Sequence, residues 1–85
     1  MTNHQFLEGH SASVNSILWD EDAPLRSCAD DGDVREWDVK TNSCKYILRD
    51  EKTKIKDIVQ SKNIIVTNNW EYGCRIWRNE DVKLK

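Results

Sequence analysis

The chain has 85 residues, 33% of them Asp, Glu, Lys or Arg. A chain of that size makes at most one small domain with a thin core, and no stretch reaches the roughly 18 apolar residues of a membrane helix. The formal charge of -2 hides a division: residues 1–40 carry 3 Lys/Arg against 9 Asp/Glu, whereas residues 41–85 carry 10 against 6. Leu, Ile, Val and Phe number 19 of 85, a level at which disorder has to be weighed, but the overall charge balance favours a folded chain. Met1-Thr2-Asn3-His4-Gln5 lacks a basic patch leading into an apolar block, so no secretory signal is expected. Three cysteines, Cys28, Cys44 and Cys74, form no Cys-x-x-Cys pair; this argues against a disulfide framework and for a reducing compartment, cytoplasm or nucleus. With His10 they are spaced too widely for the paired ligands of a structural zinc site, and no metal or cofactor is assigned.

Taken in order, the elements are short strands between turn signals. Val14 to Trp19 is apolar-rich and stops at Asp20-Glu21-Asp22-Ala23-Pro24. Leu25 to Ala29 follows; Asp31-Gly32 then makes a tight turn, because Gly tolerates positive φ and Asp can bond its own backbone. Asp33 to Trp37 returns, Thr41-Asn42-Ser43 turns again, and Cys44 to Leu48 closes the set. The second half predicts strands over 54–60, 64–68, 73–77 and 81–84. Strands of about five residues at 8–12-residue spacing, without helical periodicity, make an all-β chain.

The two halves are copies of one unit. Counting back from Trp37 and Trp77, Arg35 matches Arg75, Val34 matches Cys74, Asp31 matches Glu71, Ser27 matches Thr67 and Leu25 matches Ile65, all 40 residues apart. Upstream the offset is 41: Leu7 falls on Leu48, Val14 on Ile55, Ile17 on Ile58 and Leu18 on Val59. The single missing residue lies between Val59 and Ile65, where a loop is expected, so the repeat keeps its strands and varies only in a connection.

Gly9-His10 followed by Trp37-Asp38, with Ser27 and Asp31-Gly32 between, resembles the WD40 repeat, whose Gly-His and Trp-Asp marks fall in units of about 40–45 residues. The likeness runs from Phe6 to about Leu84 and is weaker in the second unit, where Arg49-Asp50-Glu51, Glu71-Tyr72 and Trp77-Arg78 replace the marks. It implies two four-stranded antiparallel blades of a β-propeller: residues 1–12 the outer strand (Phe6-Leu7) of a preceding blade and its loop, 13–48 the first blade, 49–85 a second, degenerate one. It also implies that His10, Ser27, Asp31 and Trp37 form the family's structural tetrad, in which a buried His links the turn Asp to the Ser and the Ser bonds the indole N–H.

Ser27, His10 and Asp31 are also the components of a hydrolase triad, but no nucleophile elbow accompanies them, and the expectation is a non-catalytic interaction scaffold. The resemblance places Ser13, Asn15, Asp30, Lys54, Lys56 and Trp70 on the face where propellers take ligands. Trp70 between Asn69 and Glu71 either anchors a protein or peptide partner or packs on a neighbouring blade. Lys52, Lys54 and Lys56 alternate like a basic stripe, but without an arginine cluster they read as edge lysines rather than a nucleic-acid site. Trp19, Trp37 and Trp77 are expected in the core. Two blades do not close a ring, so the chain is expected to be incomplete: completed by further blades from the same or another chain, or by copies of itself joined through its oppositely charged halves.

Overall fold

In the computed structural model, residues 4–20, 23–50, 54–61, 63–71, 73–78 and 83–84 are described, with the backbone alone at 23, 46, 83 and 84. The described residues contain eight strands: β1 (Val14–Asp20), β2 (Ala23–Ala29), β3 (Asp33–Asp38), β4 (Ser43–Arg49), β5 (Ile55–Gln60), β6 (Ile64–Asn69), β7 (Gly73–Arg78) and β8 (Lys83–Leu84). No helix among them is long and apolar enough to cross a membrane. All pairings are antiparallel, in a five-stranded sheet of order β1-β2-β3-β4-β8 and a three-stranded sheet β5-β6-β7.

The turns form where the local chemistry demands them. Gly32 has φ 83°, and the Asp31 side chain accepts the Asp33 N–H at 2.9 Å, closing the β2–β3 hairpin. Asn42, at φ 59°, takes the left-handed position of the β3–β4 turn, which Asn tolerates better than most residues.

The two units share one register. Ile17 pairs Ser27 as Ile58 pairs Thr67; Leu18 pairs Arg26 as Val59 pairs Val66; Leu25 pairs Trp37 as Ile65 pairs Trp77; Arg26 pairs Glu36 as Val66 pairs Ile76. Even the irregularities match: the pairing slips between Val14 and Ser16 in β1 and between Ile55 and Asp57 in β5, so Asn15 and Lys56 are equivalent extra residues.

Alternation gives each sheet two faces. The front of the first sheet carries Ile17, Leu25, Ser27 and Trp37, and its rear carries Leu18, Cys28, Val34 and Leu48. The front of the second sheet, with Ile55, Ile58 and Trp77, packs on that rear, β5 lying across β1 and β2. Cys28, Val34, Leu48, Ile55 and Ile58 are buried there, with Leu18 and Trp77 against them. Each aliphatic buried so completely contributes about 1.5–3 kcal/mol, which makes this contact the core of the molecule.

The structure revises two expectations, the strand count of the second sheet and the burial of Trp19. The repeat predicts four strands in the second unit, but its sheet has three: the terminal strand is the two-residue β8, which pairs Leu84 with Tyr46 and Lys83 with Ile47 on β4 and so covers that strand's open edge. Residues 81 and 82 lie outside the described residues. Phe6 and Leu7 lie in a segment without strand pairing; the preceding blade whose outer strand they are expected to form is not among the described residues. Trp19, expected in the core, is 64% exposed, because among the described residues no second sheet packs on the first sheet's front, and the segment around Gly9 and His10 lies over Leu25, Ser27 and Trp37 instead.

Candidate functional site

The matched bulges present one end of both sheets. In β1 the bulge turns Asn15 out of the ladder, and its Nδ2 donates to Asp30 Oδ1 at 2.7 Å and to the Ile55 carbonyl at 2.8 Å. The Asp30 N–H donates to the Ser13 carbonyl at 2.9 Å, so Ser13, Asn15 and Asp30 are tied together and the amide of Asn15 bridges to the second unit. In β5 the equivalent extra residue is Lys56, whose Nζ stands 4.0 Å from the centroid of the Trp70 ring. Trp70 is the counterpart of Asp30; the hydrogen-bonded Asn15–Asp30 pair of the first unit becomes a cation–π pair in the second. Trp70 is 69% exposed and Lys54, beside Ile55, is exposed as well. The end thus holds five of the six expected residues in two bonded groups, Ser13–Asn15–Asp30 and Lys56–Trp70, joined through Asn15 and Ile55, with Lys54 next to Ile55 in sequence. Lys52 of the expected basic stripe lies outside the described residues.

Behind this end runs a buried relay. Gly9 allows the chain to lie against the first sheet's front: a Cβ there would sit 2.6 Å from Arg35 Nη1 and 3.1 Å from the Trp37 ring. His10, its side chain 5% exposed, is thereby delivered with Nδ1 3.0 Å from Asp31 Oδ2 and Nε2 2.6 Å from Ser27 Oγ. Trp37 donates its indole N–H to the same Ser27 oxygen at 2.8 Å. That leaves the Ser27 proton to point at Nε2 and makes Nδ1 the protonated nitrogen, which donates to Asp31. Burial pushes the Asp31 carboxyl up, but the N–H groups of Asp33 and Ser11 and the His10 ring outweigh it and hold the carboxyl below its ordinary value. The second unit keeps a fragment of the relay: Trp77 donates to Thr67 Oγ1 at 3.0 Å.

Ser27, His10 and Asp31 have the spacing of a nucleophile, base and orienting acid. Trp37 adds a donor that such a triad does not need: its indole N–H bonds the Ser27 oxygen, and Ser27 is buried. His10, Asp31 and Asp33 also place possible ligand atoms within 4.8 Å of one another. Asp33, however, is already neutralised by Arg35 at 3.2 Å and Arg49 at 2.6 Å, so guanidinium groups supply the positive charge a cation would bring.

No protein-family model matches the chain. A 54-residue stretch, 62% of this chain, is 35% identical to an F-box protein of Saccharomyces cerevisiae. The match spans only 8% of that protein's length.

Sequence reasoning passes over the buried acids. Asp33 is 1% exposed between its two arginines; Glu36 accepts from Arg26 Nη2 at 2.7 Å; Asp50 lies 3.5 Å from Arg75 Nη1. Arg26 also donates to Gln60 Oε1, linking the rear of the first sheet to the front of the second. The signal is present in Asp33-Val34-Arg35, whose alternation puts opposite charges on one face, and in Arg26 and Glu36 at facing positions of a hairpin.

Proposed function

We propose that the chain is a non-catalytic interaction module made of two consecutive WD40-type repeats, the second degenerate, which presents one rigid end to a protein or peptide partner. The observation that carries this reading is Trp70, a large aromatic left 69% exposed on a hairpin turn and held by Lys56 from the neighbouring bulge. Tryptophan in such a position gives large contact area at little entropic cost, which is why it recurs at binding hot spots. Ser13, Asn15, Asp30 and Lys54 surround it as the polar rim. The Gly9-His10 to Trp37 relay and the shared register support the repeat type, and the likeness to an F-box protein is compatible with a protein-interaction role. Lys56 spends its charge on the Trp70 ring and Asp30 adds a negative group, so the end suits a mixed-charge peptide better than a phosphate backbone. All three cysteines are thiols, which supports a cytoplasmic or nuclear setting.

The test is selection of a displayed random-peptide library on the wild-type chain, followed by measurement on Trp70→Ala. Selected peptides are expected to lose at least about tenfold in affinity, while the variant keeps its thermal midpoint. Peptides that bind Trp70→Ala as tightly as wild type would overturn the reading.

A further inference from the structure

Among the described residues there is one sheet-on-sheet contact, front of the second sheet on rear of the first, and no sheet packs on the other two faces. The open front of the first sheet carries Val14 (52% exposed) and Ile17 (66%) at a hollow of about 160 Å³ lined also by Leu7, His10, Leu25, Ser27 and Trp37, and Trp19 (64%) at an adjacent depression with Pro24, Leu25 and Trp37. The open rear of the second carries Val59 (58%) and Ile76 (54%), with Val66 between them in the ladder. Because both units share a register, the internal contact is a template for matching the open faces. Val59 is the counterpart of Leu18, which fills the internal core against Ile55 and Ile58; on the open front the counterparts of those two are Val14 and Ile17.

The polar bridge of the internal contact supplies the sharpest comparison. There Gln60 on the second sheet's front meets Arg26, which is held by Glu36. On the open faces the counterpart of Gln60 is Trp19, and the counterparts of Arg26 and Glu36 are Val66 and Ile76. All three members have changed from polar to apolar together, on two surfaces that do not touch within one chain. That pattern is what two surfaces made for each other show, and it accounts for an exposed tryptophan that has no role inside the monomer.

The edges agree. β7 is an edge strand, and β4, which covers the equivalent edge of β3 in the first unit, pairs Ile47 with Arg35 and Leu48 with Val34. The counterparts are Phe6 and Leu7 for β4, and Arg75 and Cys74 for β3. Phe6 is 69% exposed, in a segment lying off the first sheet's front. We propose that this surface binds a second copy of the chain head to tail: Trp19 and Ile17 of one copy seat against Val66, Ile76 and Val59 of the next, and Phe6-Leu7 adds as the missing fourth strand on β7. The acidic first half of one copy then meets the basic second half of another, which favours this pairing over front-to-front contact. The contact is heterologous, so every open oligomer keeps one free front and one free rear until a ring closes. This inference rests on the repeat geometry and is independent of the Trp70 reading.

The test uses light scattering and sedimentation of the 85-residue chain under reducing conditions, with Trp19→Asp blocking the front and Ile76→Arg blocking the rear. Both positions are exposed in the monomer, and circular dichroism checks that the variants fold. The expected result is a concentration-dependent mass of two or more chains for wild type, one chain for each variant alone, and a 1:1 dimer when the variants are mixed, since each retains the face the other lacks. A wild-type chain that stays monomeric up to about 1 mM overturns the proposal. So does self-association of either variant at wild-type strength, or variants that remain monomeric on mixing.

Discussion

Replacing His10 by alanine tests the interior relay most directly. The substitution removes the hydrogen bond to the Asp31 carboxylate at 3.0 Å and the one from Ser27 at 2.6 Å, and it takes away a ring stacked edge-on to Trp37 at 6.0 Å between centroids. A bond to a charged group contributes about 1.5–3 kcal/mol and a neutral one about 0.5–1.5 kcal/mol. Neither partner is stranded completely: Asp31 keeps the N–H groups of Ser11 and Asp33, and Ser27 keeps the Trp37 indole. The expected loss is therefore about 2–4 kcal/mol, or on the order of 10–25 °C in melting temperature for a domain of this size. Urea unfolding followed by circular dichroism measures it, at one fixed protein concentration because association would add its own stabilisation. The Ser27→Ala and double variants complete a cycle whose coupling is expected to exceed about 0.5 kcal/mol. A His10→Ala chain within about 0.5 kcal/mol of wild type would refute the relay as a structural element. A stable variant that instead lost a hydrolytic activity would point to catalysis.

Other outcomes follow from the same geometry. Asp31 is held below its ordinary value of 3.8, so its contribution is present above that value and is lost as pH falls through the lower folded one; Asp31→Asn should flatten the acid limb of a stability–pH curve, an acid limb unchanged by the substitution being the contrary result. Burial, helped by the nearby charge of Asp57, pushes the Cys28 thiol up to about 12, so a thiol reagent at neutral pH should label exposed Cys74 and reach Cys28 only on unfolding, as peptide mapping would show. Ile58→Ala should cost about 2–5 kcal/mol in urea unfolding because it opens the contact between the sheets, whereas Trp70→Ala should change stability by less than about 1 kcal/mol.

Most of the strand plan is legible in the sequence because it depends on local chemistry. Asp31-Gly32 and Thr41-Asn42-Ser43 are turns whose backbone angles only a few residue types accept, and the 40-residue spacing of Trp37 and Trp77 carries the register from one unit to the other. The candidate end is legible in its membership. Its internal bonding is not, since the Lys56–Trp70 contact arises from a bulge that no residue type announces. Trp19 escapes for a different reason: alternation says which face of a strand a residue occupies, not whether anything lies on that face. The placement of β8 likewise depends on which edge is open after the sheets have stacked, a property of the whole chain and not of Lys83 and Leu84.

The four tryptophans occupy four distinct environments, and the protein is consequently its own spectroscopic instrument. Trp37 and Trp77 are hydrogen-bonded within the sheets, Trp19 stands in water on a broad face, and Trp70 stands in water beneath an ammonium group at one tip. Indole emission moves to shorter wavelength as water leaves the ring and to longer wavelength as it returns. Covering the broad face, filling the tip and melting the interior therefore leave separable optical signatures, each assignable by a single Trp→Phe replacement without attaching any label.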